Sequence, residues 1–227
     1  DVAKVVQGLC LAEKHSFDSP QSMLRLWLHE CNRVLSDRLV SEADRSAFVT
    51  ILDLKLKECF DGVDGWSSLV ADVDDPRYGP IMTAFLKDPT DNSSQAAHYE
   101  EALNFDILQQ RCQQKLEEYN LERRHVVMEL VLFKDAIRHV TRIHRILNMP
   151  RGNLMLIGVG GSGRRSLTRL ASYIAEAGFF TIEITKNYGT PEWHDDLKRL
   201  LATTGIENKR TTFYFSDTQL KKSTFLE

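Results

Sequence analysis

Apolar side chains recur every three or four residues over the first part of the chain, the spacing of helices that bury one face. Asp18, Ser19 and Pro20 form a helix start signal, with Ser19 as the N-cap and Pro20 at the first helical position. Arg25 and Glu30 lie off the apolar stripe of this helix, on the side expected to face solvent. The stripe itself consists of Leu24, Trp27, Leu28, Cys31, Val34 and Leu35.

A second helix is predicted after Ser41, which together with Asp44 resembles a capping box with Asp in the usual Glu position. Two amphipathic helices in succession predict a small all-helical domain over residues 1–62. The side chains expected to reach its core from the second helix are Phe48, Ile51, Leu52, Leu56, Cys59 and Phe60.

The helical period disappears between Asp61 and about Ser94, where Gly, Pro, Asp and Ser accumulate. We therefore predict a connector over residues 63–93. Two further helices are predicted after it, the second over about residues 130–147 and ended by Pro150. Their apolar faces are Phe105, Leu108, Cys112, Leu116 and Tyr119 in the first, and Phe133, Ile137, Val140, Ile143 and Leu147 in the second.

The hydrophobic period changes again after Pro150. The continuous apolar run 154–157 is typical of a strand buried on both faces. Helices and strands alternate after it, which predicts an α/β layer with a parallel sheet in a domain over residues 94–227. Strong apolar strands without edge protection indicate that this sheet is truncated. The alternating elements are a helix over 166–177, a strand over 179–184, a helix over 191–202 and a strand over 212–216.

A glycine-rich loop connects the first predicted strand to the helix that follows it. Its backbone N–H groups converge at the positive end of a helix dipole, where a phosphate fits. Glycine lets the backbone approach the phosphates closely and adopt angles that a Cβ blocks. The candidate residues are Gly158, Val159, Gly160, Gly161, Ser162, Gly163, Arg164, Arg165 and Ser166.

Two classes of nucleotide-binding protein use such a loop. Taken literally, it matches the G-x-G-x-x-G fingerprint of NAD(P)-dependent oxidoreductases, with Glu183 twenty residues after Gly163. The P-loop pattern G-x-x-x-x-G-K-[ST] matches at Gly158 and Gly163. Arg164 and Arg165, however, stand in place of its lysine and its Mg²⁺-binding hydroxyl.

The surroundings of the loop favour the P-loop interpretation. Asp217 ends the third predicted strand, where P-loop proteins place the acid that holds Mg²⁺ through water. Arg164 is still a cation at the phosphate position. A glycine turn without a ligand is the third interpretation, and it would cost about 1 kcal/mol of lost order per glycine without a compensating use.

Composition and charge narrow the classes of function. A net charge of −3 supplies no large positive field, so we expect no nucleic-acid partner. The four cysteines form no C-x-x-C pair, and no apolar run reaches the roughly 20 residues of a membrane span, which indicates a cytoplasmic protein without membrane contact. His29 and Glu30 lack the second histidine of the H-E-x-x-H motif, so no zinc site is expected. Because the chain begins at Asp1 without methionine and ends in an unfinished helix, we expect a piece of a longer protein.

Several segments resemble axonemal dynein heavy chains. Residues 150–153 and 166–171, on either side of the loop, resemble the fourth AAA+ module of that family, as do 129–136 and 182–188. Residues 26–31 and 37–39 resemble the helical lid of the third module. The resemblance implies an α/β P-loop AAA+ core, with a truncated parallel sheet, preceded by an all-α helical lid over 1–62.

The resemblance also implies roles for particular residues. The loop from Gly158 to Ser166 would be the Walker A loop, and Asp217 the Walker B acid. The backbone of Met128, Glu129 and Leu130 would contact adenine. Arg25 would be the lid arginine that reaches the nucleotide of the neighbouring module.

Three departures from the family pattern weaken the expected chemistry. Arg164 replaces the lysine, Arg165 occupies the hydroxyl position, and Thr218 follows Asp217 where a hydrolytic module has the glutamate that orients water. We therefore expect a module that binds ATP or ADP, with weak or no hydrolysis and no catalytic residue of its own. Its role would be structural or regulatory. Asp217 is the one feature that indicates a bound Mg²⁺.

The resemblance implies partners and a location as well. The partners would be neighbouring AAA+ modules of the same heavy chain and, through the parent protein, other dynein subunits and microtubules. The location would be the cytoplasm and the axoneme of a cilium or flagellum.

Overall fold

A computed structural model describes residues 1–13, 16–87, 99–123 and 127–219. The chain forms two compact units, residues 1–114 and 115–227. The first unit is mainly helical, with one short antiparallel strand pair. Its elements are α1 (Val2–Leu9), α2 (Pro20–Val34), α3 (Glu42–Cys59), α4 (Trp66–Leu69), β1 (Met82–Thr83), β2 (Glu100–Glu101) and the start of α5 (Phe105–Glu122), which ends in the second unit.

Both predicted helix starts are confirmed. Ser19 Oγ accepts a hydrogen bond from the N–H of Ser22 at 3.1 Å, and Pro20 is the first residue of α2. Ser41 Oγ accepts one from the N–H of Asp44 at 3.1 Å. Each cap satisfies a backbone donor that the helix itself leaves unpaired.

The predicted solvent side of α2 is wrong, because this helix is covered on more than one face. Glu30, predicted off the apolar stripe, is completely buried and accepts a hydrogen bond from Tyr99 Oη at 2.7 Å. Arg25 is buried as well. Helix α3 shows the reverse error, since Ile51, predicted inward, is 57% exposed. The core of the unit therefore lies around α2 and includes the fully buried Leu28 and Leu56.

The predicted connector contains regular structure in its described part, residues 63–87. Helix α4 packs on α2 and α3, and β1 pairs antiparallel with β2, with Met82 opposite Glu101. Residues 88–93 of that segment lie outside the described residues. Propensity alone did not reveal these short elements, because tertiary pairing stabilises them.

The second unit has the predicted alternation of helices and strands. Strands β3 and β4 are parallel neighbours, with Gly178 opposite Thr211 and Thr181 opposite Tyr214. Helix α6 packs on α7, and α7 packs on both strands. The elements are α6 (Lys134–Leu147), α7 (Arg164–Ile174), β3 (Gly178–Thr181), α8 (Thr190–Leu201), a π-helical turn (Ala202–Ile206), β4 (Thr211–Tyr214) and a 3₁₀ turn (Asp217–Gln219).

One helix start and one strand are predicted wrongly in this unit. The helix predicted from residue 130 begins at Lys134, and Phe133 before it is 61% exposed. Run 154–157 forms no strand within the described residues, where Met155 and Ile157 are 85% and 84% exposed. A strand buried on both faces needs neighbours to satisfy its backbone, and within 127–219 β3 and β4 pair only with each other.

One arginine joins the ends of two helices to the sheet. Arg210, just before β4, donates from Nη1 to the carbonyl of Ala175 at 2.9 Å and from Nη2 to Asn148 Oδ1 at 2.8 Å and to the carbonyl of Leu147. Its charge therefore lies at the negative ends of α6 and α7. Burial, with a smaller contribution from Arg210, lowers the pKa of nearby His144 to about 3.

Candidate functional site

The glycine loop combines two left-handed positions, Gly161 and Gly163, with Gly160, where the backbone is not left-handed and the space beside it is open. Gly161 and Gly163 have φ values of 79° and 77°, in the left-handed region that side chains rarely adopt. A Cβ at Gly158 would lie 3.0 Å from Ser162 Oγ. A Cβ at Gly160 would meet no atom within 4 Å, so the protein itself does not require glycine there. Open space beside that backbone is what a bound group would need.

The loop leads directly into the amino end of α7. Gly163 is the N-cap, and among the described residues no side chain caps the helix and no acidic residue lies in its first turn. The N–H groups of an eleven-residue helix thus meet the loop without a negative partner from the protein. An anion is the ligand that this arrangement favours.

Two arginines begin α7, where a positive charge opposes the helix dipole. Arg164 bends back over the loop, and its Nη2 donates to the carbonyl of Val159 at 3.3 Å. Arg165 is exposed. Both line the same cleft as the loop, so a bound phosphate would offset their charge.

The loop and the carboxyl ends of the strands share one cleft of about 1420 Å³. This cleft brings together residues that lie far apart in the sequence and were predicted as one site. Glu183, the residue that suggested NAD, lines it too. The predicted residues that line the cleft are Gly158, Gly160, Gly161, Arg164, Arg165 and Asp217.

The turn after β4 carries one acidic side chain and two hydroxyls. Asp217 Oδ1 accepts a hydrogen bond from the N–H of Thr218 at 3.0 Å. The hydroxyl of Thr218 lies 2.8 Å from that of Ser216, so the two are hydrogen-bonded. The turn can offer a carboxylate to a cation, but Thr218 supplies no second carboxylate to orient a water molecule.

Sequence reasoning missed Gln219, which also lines the cleft and is buried. No pattern in the sequence distinguishes it, because a glutamine five positions after the end of a strand carries no local signal of burial.

The predicted adenine segment lies apart from the cleft lining. Met128 is buried, and both its backbone groups bind the side chain of Asn120: the N–H at 2.8 Å and the carbonyl at 3.1 Å. Within the described part of the chain, neither Glu129 nor Leu130 lines the cleft that holds the loop. Asn120 was also missed, because the hydrogen bonds that it makes join a helix to a loop.

Arg25 lies in the first unit, where its guanidinium is enclosed. Nε donates to both carboxylate oxygens of Glu101 at 3.0 and 2.9 Å, and Nη1 lies 2.7 Å from Asp72 Oδ1. Burial opposes the charge of Arg25, but hydrogen bonds to Glu101 and Asp72 leave its pKa raised. The hydrogen bond to Arg25 in turn lowers the pKa of Asp72.

Metal-ion clusters and membrane-spanning helices are both absent from the described residues. No group of three or more His, Cys, Asp or Glu side chains among them is placed to hold a metal ion. No helix in the described ranges has the length and apolarity that a membrane crossing requires.

Comparison with known families and proteins identifies both halves of the chain. Residues 128–227 match the family described as "P-loop containing dynein motor region D4", and residues 1–68 match "AAA+ lid domain". These matches confirm the predicted fold class, a helical lid followed by a P-loop AAA+ core. They give no support to the dinucleotide-binding alternative.

Individual relatives agree with these families. The chain is 44% identical over 227 residues to "Dynein axonemal heavy chain 2" of Mus musculus. It is 44% identical over 227 residues to "Dynein-1-beta heavy chain, flagellar inner arm I1 complex" of Chlamydomonas reinhardtii, and 37% over 226 residues to "Dynein beta chain, flagellar outer arm" of the same organism. Each alignment covers 100% of this chain and 5% of the relative.

Proposed function

This chain belongs to the axonemal dynein heavy chain family, and on that premise we propose that its glycine loop binds ATP or ADP. One observation carries the proposal: the loop, an uncapped helix start and Asp217 face a single cleft. Phosphates would lie against the loop N–H groups, with Gly160 leaving room for their approach. Arg164 and Arg165 would supply positive charge.

The same site is poorly equipped to cleave the nucleotide. Phosphoryl transfer depends on positioned charge and on a group that orients the attacking water. Thr218 is hydrogen-bonded to Ser216 and carries no carboxylate. We therefore assign the module a structural or regulatory role with weak or no hydrolysis.

Mg²⁺ would be held in this cleft through Asp217. Asp217 suits the cation, because carboxylate oxygen is a preferred ligand of Mg²⁺ and this side chain lines the cleft. Arg165 does not suit it, since a guanidinium has no acceptor atom. When bound with nucleotide, Mg²⁺ would neutralise phosphate charge, while Asp217 would hold it directly or through water.

The wider role follows from the relatives, of which this chain spans about a twentieth. We propose that it forms part of a ring of AAA+ modules in a microtubule motor of the axoneme. Its partners there are the adjacent modules, other dynein subunits and microtubules. For Arg25 to reach a neighbouring nucleotide, its guanidinium has to leave Glu101 and Asp72.

A single-turnover assay with the full chain tests the proposed function. We expect the chain to bind ATP. When the complex is then denatured, the nucleotide that is released should be mostly intact ATP, with little ADP. Rapid ATP cleavage that is lost in the Asp217→Ala variant would overturn the proposal that this module binds nucleotide with weak or no hydrolysis. Failure to bind ATP or ADP at all would overturn nucleotide binding.

A further inference from the structure

The side chain of Gln219 ties the carboxyl ends of both strands together. Its Nε2 donates to Thr181 Oγ1 at 2.9 Å and to the carbonyl of Ile182 at 2.5 Å, beside the end of β3. Its Oε1 accepts from the N–H of Ser216 at 2.8 Å, after the end of β4. One buried amide therefore closes the turn that contains Asp217 and anchors it to the neighbouring strand.

We propose that Gln219 is a positioning residue that holds the Asp217 carboxylate at the cleft, ready for the Mg²⁺ of a bound nucleotide. The inference rests on the proposed function. Its physical basis is that Asp217 belongs to a three-residue turn, and an exposed turn of that length has little order of its own. A residue that fixes both the start and the end of the turn restricts where the carboxylate lies.

Gln219 does not itself act on water in this arrangement. A glutamine can orient the attacking water of a nucleotide hydrolase. Here both hydrogen-bonding ends of the amide are engaged by the protein, Nε2 by Thr181 and Ile182 and Oε1 by Ser216. The amide therefore fixes the turn that carries Asp217, but it does not supply the missing group that would orient the attacking water.

The chemistry of the contacts requires an amide at this position. The carbonyl of Ile182 needs a donor, and the N–H of Ser216 needs an acceptor. A carboxylate of the same size keeps the acceptor but places a negative oxygen against the Ile182 carbonyl. Gln219→Glu thus breaks one half of the bridge at nearly constant volume.

Nucleotide binding with and without Mg²⁺ tests the proposal in the full chain. In the wild type we expect Mg²⁺ to strengthen ATP binding. In Gln219→Glu that strengthening should fall about tenfold or more, the usual cost of removing a group that orients a metal ligand. ATP affinity without Mg²⁺ should stay within about twofold, since the loop itself is unchanged. Gln110→Glu, the same change at an exposed position of α5, should alter neither affinity.

A double variant distinguishes positioning from general damage. If Gln219 acts through the acid, adding Gln219→Glu to Asp217→Asn should cause no further loss of the Mg²⁺ effect. An equal loss of affinity with and without Mg²⁺ would show a merely structural role and overturn the proposal. So would a wild type whose ATP affinity does not respond to Mg²⁺.

Amide hydrogen exchange in the nucleotide-free chain separates this inference from the proposed function. If the wild type binds no ATP, the proposed function fails, and exchange then decides whether Gln219 holds the turn. Gln219→Glu should accelerate exchange at 181–184 and 215–218 together. Unchanged exchange at both segments would overturn the positioning role.

Discussion

Met128 binds one side chain, the carboxamide of Asn120, through both its backbone N–H and its carbonyl. The proposed adenine segment is therefore held to α5 by a pair of hydrogen bonds like those between two strands. Helix α5 also contacts α7, because Tyr119 and Tyr173 meet edge to face with their ring centroids 5.3 Å apart. These contacts connect the segment to the helix that follows the glycine loop.

Replacing Asn120 tests whether this connection sets base preference. Asn120→Asp keeps the acceptor for the Met128 N–H but turns an oxygen toward the Met128 carbonyl, at a cost of about 1–3 kcal/mol. We expect lower thermal stability and a smaller preference for ATP over GTP in competition binding.

Asn104→Asp is the matched control for that experiment. The side chain of Asn104 accepts a hydrogen bond through Oδ1 from the N–H of Asp106 at 2.8 Å. A carboxylate oxygen at the same place can accept that hydrogen bond as well. An unchanged ATP-to-GTP ratio in Asn120→Asp, despite reduced stability, would show that the segment does not read the base.

Alanine at two loop glycines should separate folding from binding. Gly163→Ala should destabilise the second unit by about 1–2 kcal/mol, because its φ of 77° is left-handed. Gly160→Ala should leave stability unchanged, since its new methyl group meets no atom. Its ATP affinity should nevertheless fall about tenfold or more, if phosphate lies against that backbone.

Gly205→Ala is the control for the glycine pair, because its Cβ would also meet no atom within 4 Å and its φ is not positive. Denaturant unfolding and isothermal calorimetry on the three variants provide the two measurements. Full ATP affinity in Gly160→Ala would place the phosphates elsewhere.

Arg210 should contribute to stability through the three carbonyl or amide oxygens to which it donates. Arg210→Ala should lower the free energy of unfolding by about 1–2 kcal/mol, because the ends of α6 and α7 lose the hydrogen bonds that this exposed side chain donates to them. Arg210→Lys should recover only part, because an ammonium lacks the planar fork. Lys209→Ala, which removes an exposed ion pair with Glu207, should change stability by less than about 0.5 kcal/mol.

The lowered pKa of His144 predicts that the folded chain loses stability in mild acid. Its pKa is lowered to about 3 in the folded chain and returns to the ordinary value near 6.5 on unfolding. The unfolded chain then binds more protons between these values, so stability falls as the pH drops through that window. From pH 7 to pH 5 the loss should be about 2 kcal/mol.

Urea titrations at several pH values measure the effect of His144. His144→Gln removes the titrating ring, so its stability should vary less between pH 7 and pH 5 than that of the wild type. A parallel pH dependence in both proteins would show that other groups cause the loss.

The sequence by itself determined features whose partners lie within a few residues. Ser19 and Ser41 each cap a helix by accepting a hydrogen bond from the N–H three positions further along the chain. The glycine loop needs only its own backbone and the helix that follows it. These contacts are local, so residue type and spacing were enough to predict them.

Tertiary structure alone decided which polar residues are buried and what they hold. Arg25 meets Glu101 across 76 positions, and Gln219 meets Ile182 across 37. The apolar run 154–157 met the pattern of a buried strand, yet its exposure depends on which neighbours pair with it. Such contacts join separate elements, and their energies depend on distances that no local pattern encodes.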